Sequence, residues 1–597
     1  MRFPSSVLRL SLPCILFFST LGVLEGWAQS WPVSGQSAAD LRSQPNETQI
    51  SPINVSLLSK KWVFTTGGDV SATPTVASNV VYVPDWSGHL YAIDAQTGAT
   101  IWSHQIAEYD GVSGSVARGS PAIYNNELIF GDQAKSSHNG ASVMAVDAST
   151  GALLWITKVE THPAAIISGP AVVAGSTVYV GVSSVEESFA DQPGYDCCTF
   201  RGSVVALNAA TGKILWQTHV MPTGYSGGAI WQQPAVDITR GLVYVGTGNN
   251  YSVPASVERC EQENPGDASC TPSSDYFDSA LALDMNTGAV KWHKHLYGYD
   301  VWTQACSAPK QGVTCPDPTG PDYDMGGSGP NLIGNIVGFG QKSGIYWALN
   351  ASNGVLVWST VVGPGGTLGG IQWGTASDGK TIYAAVANYS KHSYPLVAGQ
   401  TISWGAWSAL DATTGKILWQ TPDPTSGAID ESSLSVANGV LYAGSFDSAG
   451  HMYALNAATG KVLWSFASGG SVLDGPSIVN GIVYWGSGYA KAGGGTGNNK
   501  LYAFALPAVP VVTVTSPANN SQVASPVDYV SSAASPTCAK GIAAIRIYTA
   551  PYVSAYTVDS SQLNTNISLS PGTYQTVVQA WDNCGGVGKT PVTITVK

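Results

Sequence analysis

The sequence predicts an all-β chain, an eight-bladed β-propeller followed by an immunoglobulin-like β-sandwich, and three observations carry that prediction. One eleven-residue phrase is written seven times: AIDAQTGATIW ending at Trp102, AVDASTGALLW at Trp155, ALNAATGKILW at Trp216, ALDMNTGAVKW at Trp292, ALNASNGVLVW at Trp358, ALDATTGKILW at Trp419 and ALNAATGKVLW at Trp464. A phrase copied this way marks a repeat architecture. Each copy reads as a strand, a tight Thr-Gly or Asn-Gly turn and a β-branched strand ending in Trp, and each follows a further pair of short apolar runs. Four short strands per unit, repeated radially, make a propeller, with the Trp as an apolar plate between neighbouring units. Finally, Lys60-Lys61-Trp62-Val63-Phe64 matches only the last strand of a copy, while Lys500-Leu-Tyr-Ala-Phe-Ala-Leu506 matches a copy that stops before its Thr-Gly and Trp. The two fragments complete each other as an eighth unit, with three strands from 474–506 and the outer strand from 58–65, which removes an exposed sheet edge.

The elements follow in order. Residues 1–28 read as a secretory leader, with Arg2 and Arg9, an apolar stretch through Leu24, and Gly26-Trp27-Ala28 before the cut. No other stretch approaches the roughly 18 apolar residues of a membrane span. Residues 29–56 are polar and unpatterned and read as a flexible lead-in. The propeller occupies 57–506, with units near 70–105, 117–158, 167–220, 229–296, 328–361, 372–421 and 430–467 and the split unit last. The Trp landmarks stand 40 to 76 residues apart, so the insertions are unequal. The long ones, at 185–200, 250–276 and 298–327, are where function is sought. Cys260 with Cys270, and Cys306 with Cys315, read as staples of their own insertions. Pro507, Pro510 and Pro517 mark a change of composition, and 507–597 reads as the immunoglobulin-like domain from VVTVTSP, IAAIRIYT, YTVDS, TYQTVVQAW and PVTITVK, with Cys538 and Cys584 available for one bridge.

Loss of the leader takes the formal net charge from −12 to −13. An acidic chain with few Lys and Arg argues against nucleic acid as a partner. Eight cysteines remain, an even number that suits an oxidising compartment, so the expected location is periplasmic or secreted.

Chemistry in a propeller gathers where two loops of every blade converge, before the innermost strand and after the second. Arg118, Trp231, Asp300, Thr303 and Glu431 stand at the first phase; Asp85, Asp132, Glu186, Asn249, Lys342, Asn388 and Asp447 stand at the second. The plainer role of a lone acid in such a loop is to cap a turn. Packing is the plainer role for Trp231, and a surface salt bridge for Lys342.

Here a resemblance becomes specific. The repeat resembles that of the eight-bladed pyrroloquinoline quinone (PQQ) dehydrogenases, the quinoprotein alcohol dehydrogenases. Gly-Gly-Ala-Ile-Trp ending at Trp231, followed eighteen residues later by Asn249 in Gly-Thr-Gly-Asn, resembles the family's cofactor-stacking Trp and calcium-ligand Asn. Glu186 in Val-Gly-Val-Ser-Ser-Val-Glu matches its calcium-ligand Glu, with Glu187 beside it as an alternative. Arg118 matches an Arg that binds the quinone's acid groups. Lys342 in Lys-Ser-Gly-Ile-Tyr-Trp matches the cation beside the reactive carbonyls, and Asn388 in Val-Ala-Asn-Tyr falls near another quinone contact. The insertions around Cys-Cys-Thr-Phe-Arg-Gly and Gly-Tyr-Asp-Val-Trp, with the Gly-Pro-Gly-Gly run, resemble the polyvinyl-alcohol dehydrogenase branch. The likeness covers about 57–506.

The chemistry agrees with the likeness. PQQ is a flat tricarboxylate that needs an aromatic face and cations at its edge, and calcium needs hard oxygens. Two departures stand out. The vicinal Cys197-Cys198, implied by the resemblance to form a disulfide ring over the quinone, sits in the third unit's insertion and not just upstream of Arg118. The family's Asp-x-Trp-Asp is here Asp300-Val-Trp302-Thr303, which leaves Asp300 as the nearest candidate base. The resemblance thus implies an exported PQQ- and calcium-dependent enzyme oxidising alcohols, polymeric ones included, with an external electron acceptor such as a cytochrome c, since the chain lacks Cys-x-x-Cys-His. The alternative is a non-catalytic periplasmic propeller scaffold that binds proteins or polymers.

Overall fold

The structure, a computed structural model, describes residues 29–134, 140–307, 312–318, 320–325, 327–491, 494–507, 509–535, 538 and 540–597. The expected leader, 1–28, lies outside them. Among the described residues, eight antiparallel sheets follow one four-strand plan. In the first, Thr75–Ala77, Val80–Pro84, His89–Asp94 and Thr100–Gln105 pair in chain order. In the last, Ser477–Val479, Ile482–Ser487 and Lys500–Ala505 take Ser59–Thr65 as their outer strand, with Phe64 opposite Leu501. The two sequence fragments are therefore joined across the length of the chain.

The repeated phrase has a physical cause. The indole N–H of Trp62 donates to the backbone carbonyl of Ala95 in the next sheet. The same bond runs from Trp102 to Ala148, Trp155 to Ala209, Trp216 to Met285, Trp292 to Ala351, Trp358 to Ala412 and Trp419 to Ala457. Trp464 completes the cycle by donating to Leu58, beside the split sheet's outer strand. Each ring lies on the turn glycine of the following copy: a Cβ on Gly98, Gly151, Gly212, Gly288, Gly354, Gly415 or Gly460 would meet the preceding Trp at 2.4 to 3.0 Å. These glycines also hold φ between +68° and +74°, a region that disfavours a side chain. Turn geometry and neighbour contact thus select the same residue.

Residues 29–56, expected to be a flexible lead-in, are instead built into the ring. Trp31 and Ile50 are fully buried, and Arg42 is 2% exposed. The backbone from Trp31 to Arg42 bonds in turn to the inner strands at Val76, Ile123, Val236, Leu332, Ser377 and Val436, and the Gln44 side chain reaches the carbonyl of Ile478. Inner strands bordering a channel carry unpaired backbone groups, and this segment satisfies them. Most of its bonds to the inner strands are made by the main chain, so its side-chain pattern does little to announce them.

Beyond residue 507 a three-stranded sheet (Val511–Ser516, Val527–Ala534, Gln562–Ile567) and a five-stranded sheet share one core that includes Tyr529, Ile545, Ile547, Val578 and Ile594. The strands at Val527–Ala534 and Gln562–Ile567 escaped the sequence reading because Ser531 and Thr565 interrupt the apolar residues of their inward faces. Cys538–Cys584, Cys260–Cys270 and Cys306–Cys315 pair as expected. No helix among the described residues is long and apolar enough to cross a membrane.

The Trp-on-glycine contact is testable. Trp419→Ala is expected to destabilise the fold by about 3–5 kcal/mol, seen as a lowered thermal midpoint. Gly460→Ala also destabilises, because its Cβ falls 2.5 Å from the Trp419 ring. Combined, the two should lose less than their sum by about 0.5–3 kcal/mol; strict additivity would show that the ring does not rest on that glycine.

Candidate active site

The loops that rise from one end of the ring enclose a cavity of ≈ 430 Å³. Trp231 and Trp373 face it with ring centroids 4.7 Å apart at 73°. Both follow a Gly-Gly pair, in Gly-Gly-Ala-Ile-Trp and Gly-Gly-Ile-Gln-Trp, so the second was legible by analogy with the first. Gly327 must stay small, since a Cβ there would lie 2.1 Å from Trp231 Cη2. Tyr251, Tyr489 and Trp86 complete the aromatic walls.

Cations are set against these rings. The Arg118 guanidinium lies 4.0 Å from the Trp373 centroid and 5.7 Å from that of Tyr489. Lys342 Nζ lies 5.8 Å above Trp231, and Lys491 Nζ 5.1 Å from Trp86. Burial works against a charge on Lys342, but Asp322 and Asp324 overcome it and hold the amine protonated well above the ordinary lysine range. Lys342 Nζ donates to both Asp322 oxygens, at 2.9 and 3.0 Å, and to Asp324 Oδ2 at 2.7 Å. Neither aspartate figured in the sequence reading, because the insertion that contains Cys306 and Cys315 separates them from the Asp-x-Trp pattern.

Of the adjacent glutamates, it is Glu187 that faces the cavity. Burial raises its carboxyl to about 7; Lys342 opposes the shift and Asp324 adds to it. Glu186, the expected calcium ligand, is fully buried and turned toward the cysteine loop. It accepts the amides of Thr199 at 2.9 Å and Phe200 at 2.8 Å and the Tyr195 hydroxyl at 3.1 Å. Burial alone would raise it, but His162 and those amides hold it below the usual carboxylate range. Cys197 and Cys198 form the vicinal disulfide, yet they are not among the cavity-lining residues. Their loop is clamped by Glu186 and by Ser252, whose hydroxyl donates to the Cys198 carbonyl.

Asn249 is 1% exposed and supports Asp324, its amide donating to Asp324 Oδ1 at 2.7 Å. Its side-chain Nδ2 donates to the carbonyls of Asn250 and Trp302, which leaves Oδ1 with no hydrogen-bond partner among the described residues. An orphaned buried oxygen beside under-compensated carboxylates fits a hard cation.

Asp300 does not line the cavity; it is fully buried, and its Oδ2 accepts the Tyr323 amide at 2.8 Å. Burial raises it to about 7. Its backbone carbonyl takes the Asn250 amide, so the Asp300 segment braces the Asp322–Asp324 loop from behind. Asn388 also lies outside the cavity, bonding the main chain of His392 through both ends of its amide. Asp85, Asp132 and Asp447 cap their own loops.

Aromatic faces, edge cations and a group of hard oxygens suit a flat polyanion beside a metal ion, and PQQ with calcium meets that description. A family model described as glucose/ethanol/alcohol dehydrogenase, beta-propeller domain, matches residues 31–317. A second, described as outer membrane protein assembly factor BamB, matches 405–505. A polyvinylalcohol dehydrogenase of Sphingopyxis sp. (strain 113P3) is 34% identical over 509 residues, spanning 75% of this chain and 72% of the relative. One of Pseudomonas sp is 30% identical over 507 residues, 77% and 73%. Among solved structures, the quinohemoprotein alcohol dehydrogenase from Comamonas testosteroni superposes with a TM-score of 0.59 at 20% identity over 80% of each chain, which shows the fold. With the sequence likeness to the two dehydrogenases, the conclusion is that this chain belongs to the PQQ-dependent alcohol dehydrogenases, oxidoreductases acting on CH–OH groups.

Proposed function

We propose that this chain is an exported dehydrogenase that oxidises the hydroxyl groups of polyvinyl alcohol or related secondary alcohols. The observation that carries the reading is the single cavity in which Trp231, Trp373, Arg118, Lys342, Glu187 and Asp324 meet. The names of the relatives, polyvinylalcohol dehydrogenases, support the substrate class. In this reading 57–506 is an eight-bladed ring and 507–597 an immunoglobulin-like accessory domain. The expected leader and the disulfides support a periplasmic or secreted location, and electrons leave to an external acceptor such as a cytochrome c.

Trp231 supplies the flat surface under the cofactor, and Arg118 neutralises its carboxylates. Glu187 and Asn249, through its free Oδ1, are the oxygen donors for calcium, so the metal role expected of Glu186 passes to its neighbour. When bound, PQQ supplies the hydride acceptor and calcium the polarising charge at its carbonyl. The chain's own task is to position the carbinol and to take its hydroxyl proton. We place that proton acceptor at Asp324, which of the two aspartates bonded to Lys342 is the one that faces the cavity, and assign Asp300 to bracing the loop. Glu186 and Ser252 hold the Cys197-Cys198 loop beside this cavity.

Reconstitution tests the reading. Metal-free protein given PQQ and calcium should keep the quinone's absorbance through desalting and reduce a dye with polyvinyl alcohol. Retention of neither quinone nor activity would favour the scaffold, a reading supported by the BamB-type match over 405–505. Chelation should abolish turnover, and calcium should restore it. Asp324→Asn should lower kcat by about 10²-fold or more, whereas Asp300→Asn should lower it by less than about tenfold; the reverse ranking would return the base to Asp300. Trp231→Ala should weaken PQQ binding by about tenfold, measured by equilibrium titration.

A further inference from the structure

Beneath Trp231 and Trp373 the channel holds a second, much smaller cavity of ≈ 20 Å³, room for about one water. Its upper wall includes Arg118 and the two tryptophans, and its lower wall includes Ser34, Arg42 and Asp474. Arg42 comes from the segment threaded through the ring. Its guanidinium donates to Ser34 Oγ at 2.9 Å and Thr73 Oγ1 at 3.3 Å, while Nε finds no partner among the described residues. Such a buried cation is costly unless a nearby anion offsets it.

The carboxyl groups that Arg42 acts on are Asp40, which burial raises to about 7 against the pull of Arg42, and Asp474. Asp474 accepts the Ser433 hydroxyl at 2.6 Å. It shares this cavity with both arginines; burial pushes its carboxyl up, and Arg42 first and Arg118 after it oppose that shift. Arg118 has a second acid neighbour in Glu431, itself buried against Trp373. The cation expected to receive the cofactor's carboxylates is therefore flanked by two protein carboxylates. Left to serve both, it would be a poor receptor for a third anion.

We propose that Arg42 is a positioning residue for the cofactor: from beneath the floor rings it neutralises Asp474 and so leaves Arg118 available to the carboxylates of bound PQQ. The segment 29–44, apart from its structural part in the ring, thereby sets the charge of the site it underlies. This inference rests on the quinone reading of the upper cavity.

The test is a PQQ titration of calcium-loaded protein, followed by quenching of tryptophan fluorescence, so that it reads binding and not turnover. Arg42→Met should weaken PQQ binding by about tenfold or more. Adding Asp474→Asn to it, which removes the anion that Arg42 served, should return affinity to within about threefold of wild type. Arg42→Lys keeps the charge and should lose less than Arg42→Met. If Arg42→Met fails to fold, the charge-balanced double variant and Arg42→Lys carry the same comparison against wild type. Undiminished affinity in Arg42→Met, or a double variant that binds as weakly as Arg42→Met or stays far below wild type, overturns the proposal. A wild-type chain that binds no PQQ overturns the quinone reading and this inference with it, an outcome distinct from wild-type binding without the Arg42 effect.

Discussion

The fold depends on one contact made again and again: an indole that lies on the next sheet's turn glycine and donates its N–H to that sheet's backbone. Each instance is modest alone, a neutral hydrogen bond plus ring burial. The cycle from Trp62 through Trp464 and back to Leu58 ties every sheet to its neighbour by the same indole-to-carbonyl bond. The turn capped by one sheet's Asp or Asn is thereby also the seat of the preceding sheet's Trp. With the frame fixed at its outer rim, the loops at the channel end are free to differ, and the chemistry occupies those loops.

The cavity shows what that freedom is used for. Seven of the residues that define it come from seven different loops: Arg118, Glu187, Trp231, Asp324, Lys342, Trp373 and Tyr489. None is near another by virtue of local sequence except through the ring. Its electrostatics are mixed, with cations against rings and carboxylates against cations, which suits a ligand carrying several negative charges beside a divalent ion. Glu186 and Asp300 serve it indirectly. The former ties the vicinal cysteines to the short helix that carries Glu187, and the latter holds Tyr323 between the two aspartates that grip Lys342.

What the sequence disclosed follows from how each feature is written in it. The sheets were legible because one contact repeated at every junction demands the same letters, and the closing sheet because its two halves are complementary fragments of that phrase. Trp231, Arg118 and Lys342 could be placed because loop phase in a repeat fixes direction. Glu186 and Glu187 could not be told apart, since adjacent residues point to opposite sides and only the packing of Phe200 and Thr199 decides which turns inward. Asp322 and Asp324 were hidden by an insertion that displaced them from the expected spacing. The segment 29–56 was opaque because most of its bonds to the inner strands are made by main-chain atoms that every sequence possesses.

That segment has a consequence for the order of assembly. Gln44 bonds to Ile478, 434 residues away, and Ser59–Thr65 pairs with Lys500–Ala505 at the far end of the ring. The first residues of the described chain find partners early, at Val76 and Ile123, but the bonds of Gln44 and of Ser59–Thr65 need nearly the whole ring. Contacts of such separation are the last to repay their loop-closure entropy. The early segment bonds to seven of the sheets, as an axle does to its spokes, so its full set of contacts exists only once all seven are in place. A chain that threads its own beginning through its finished wheel cannot complete its folding until its closing strands have been delivered.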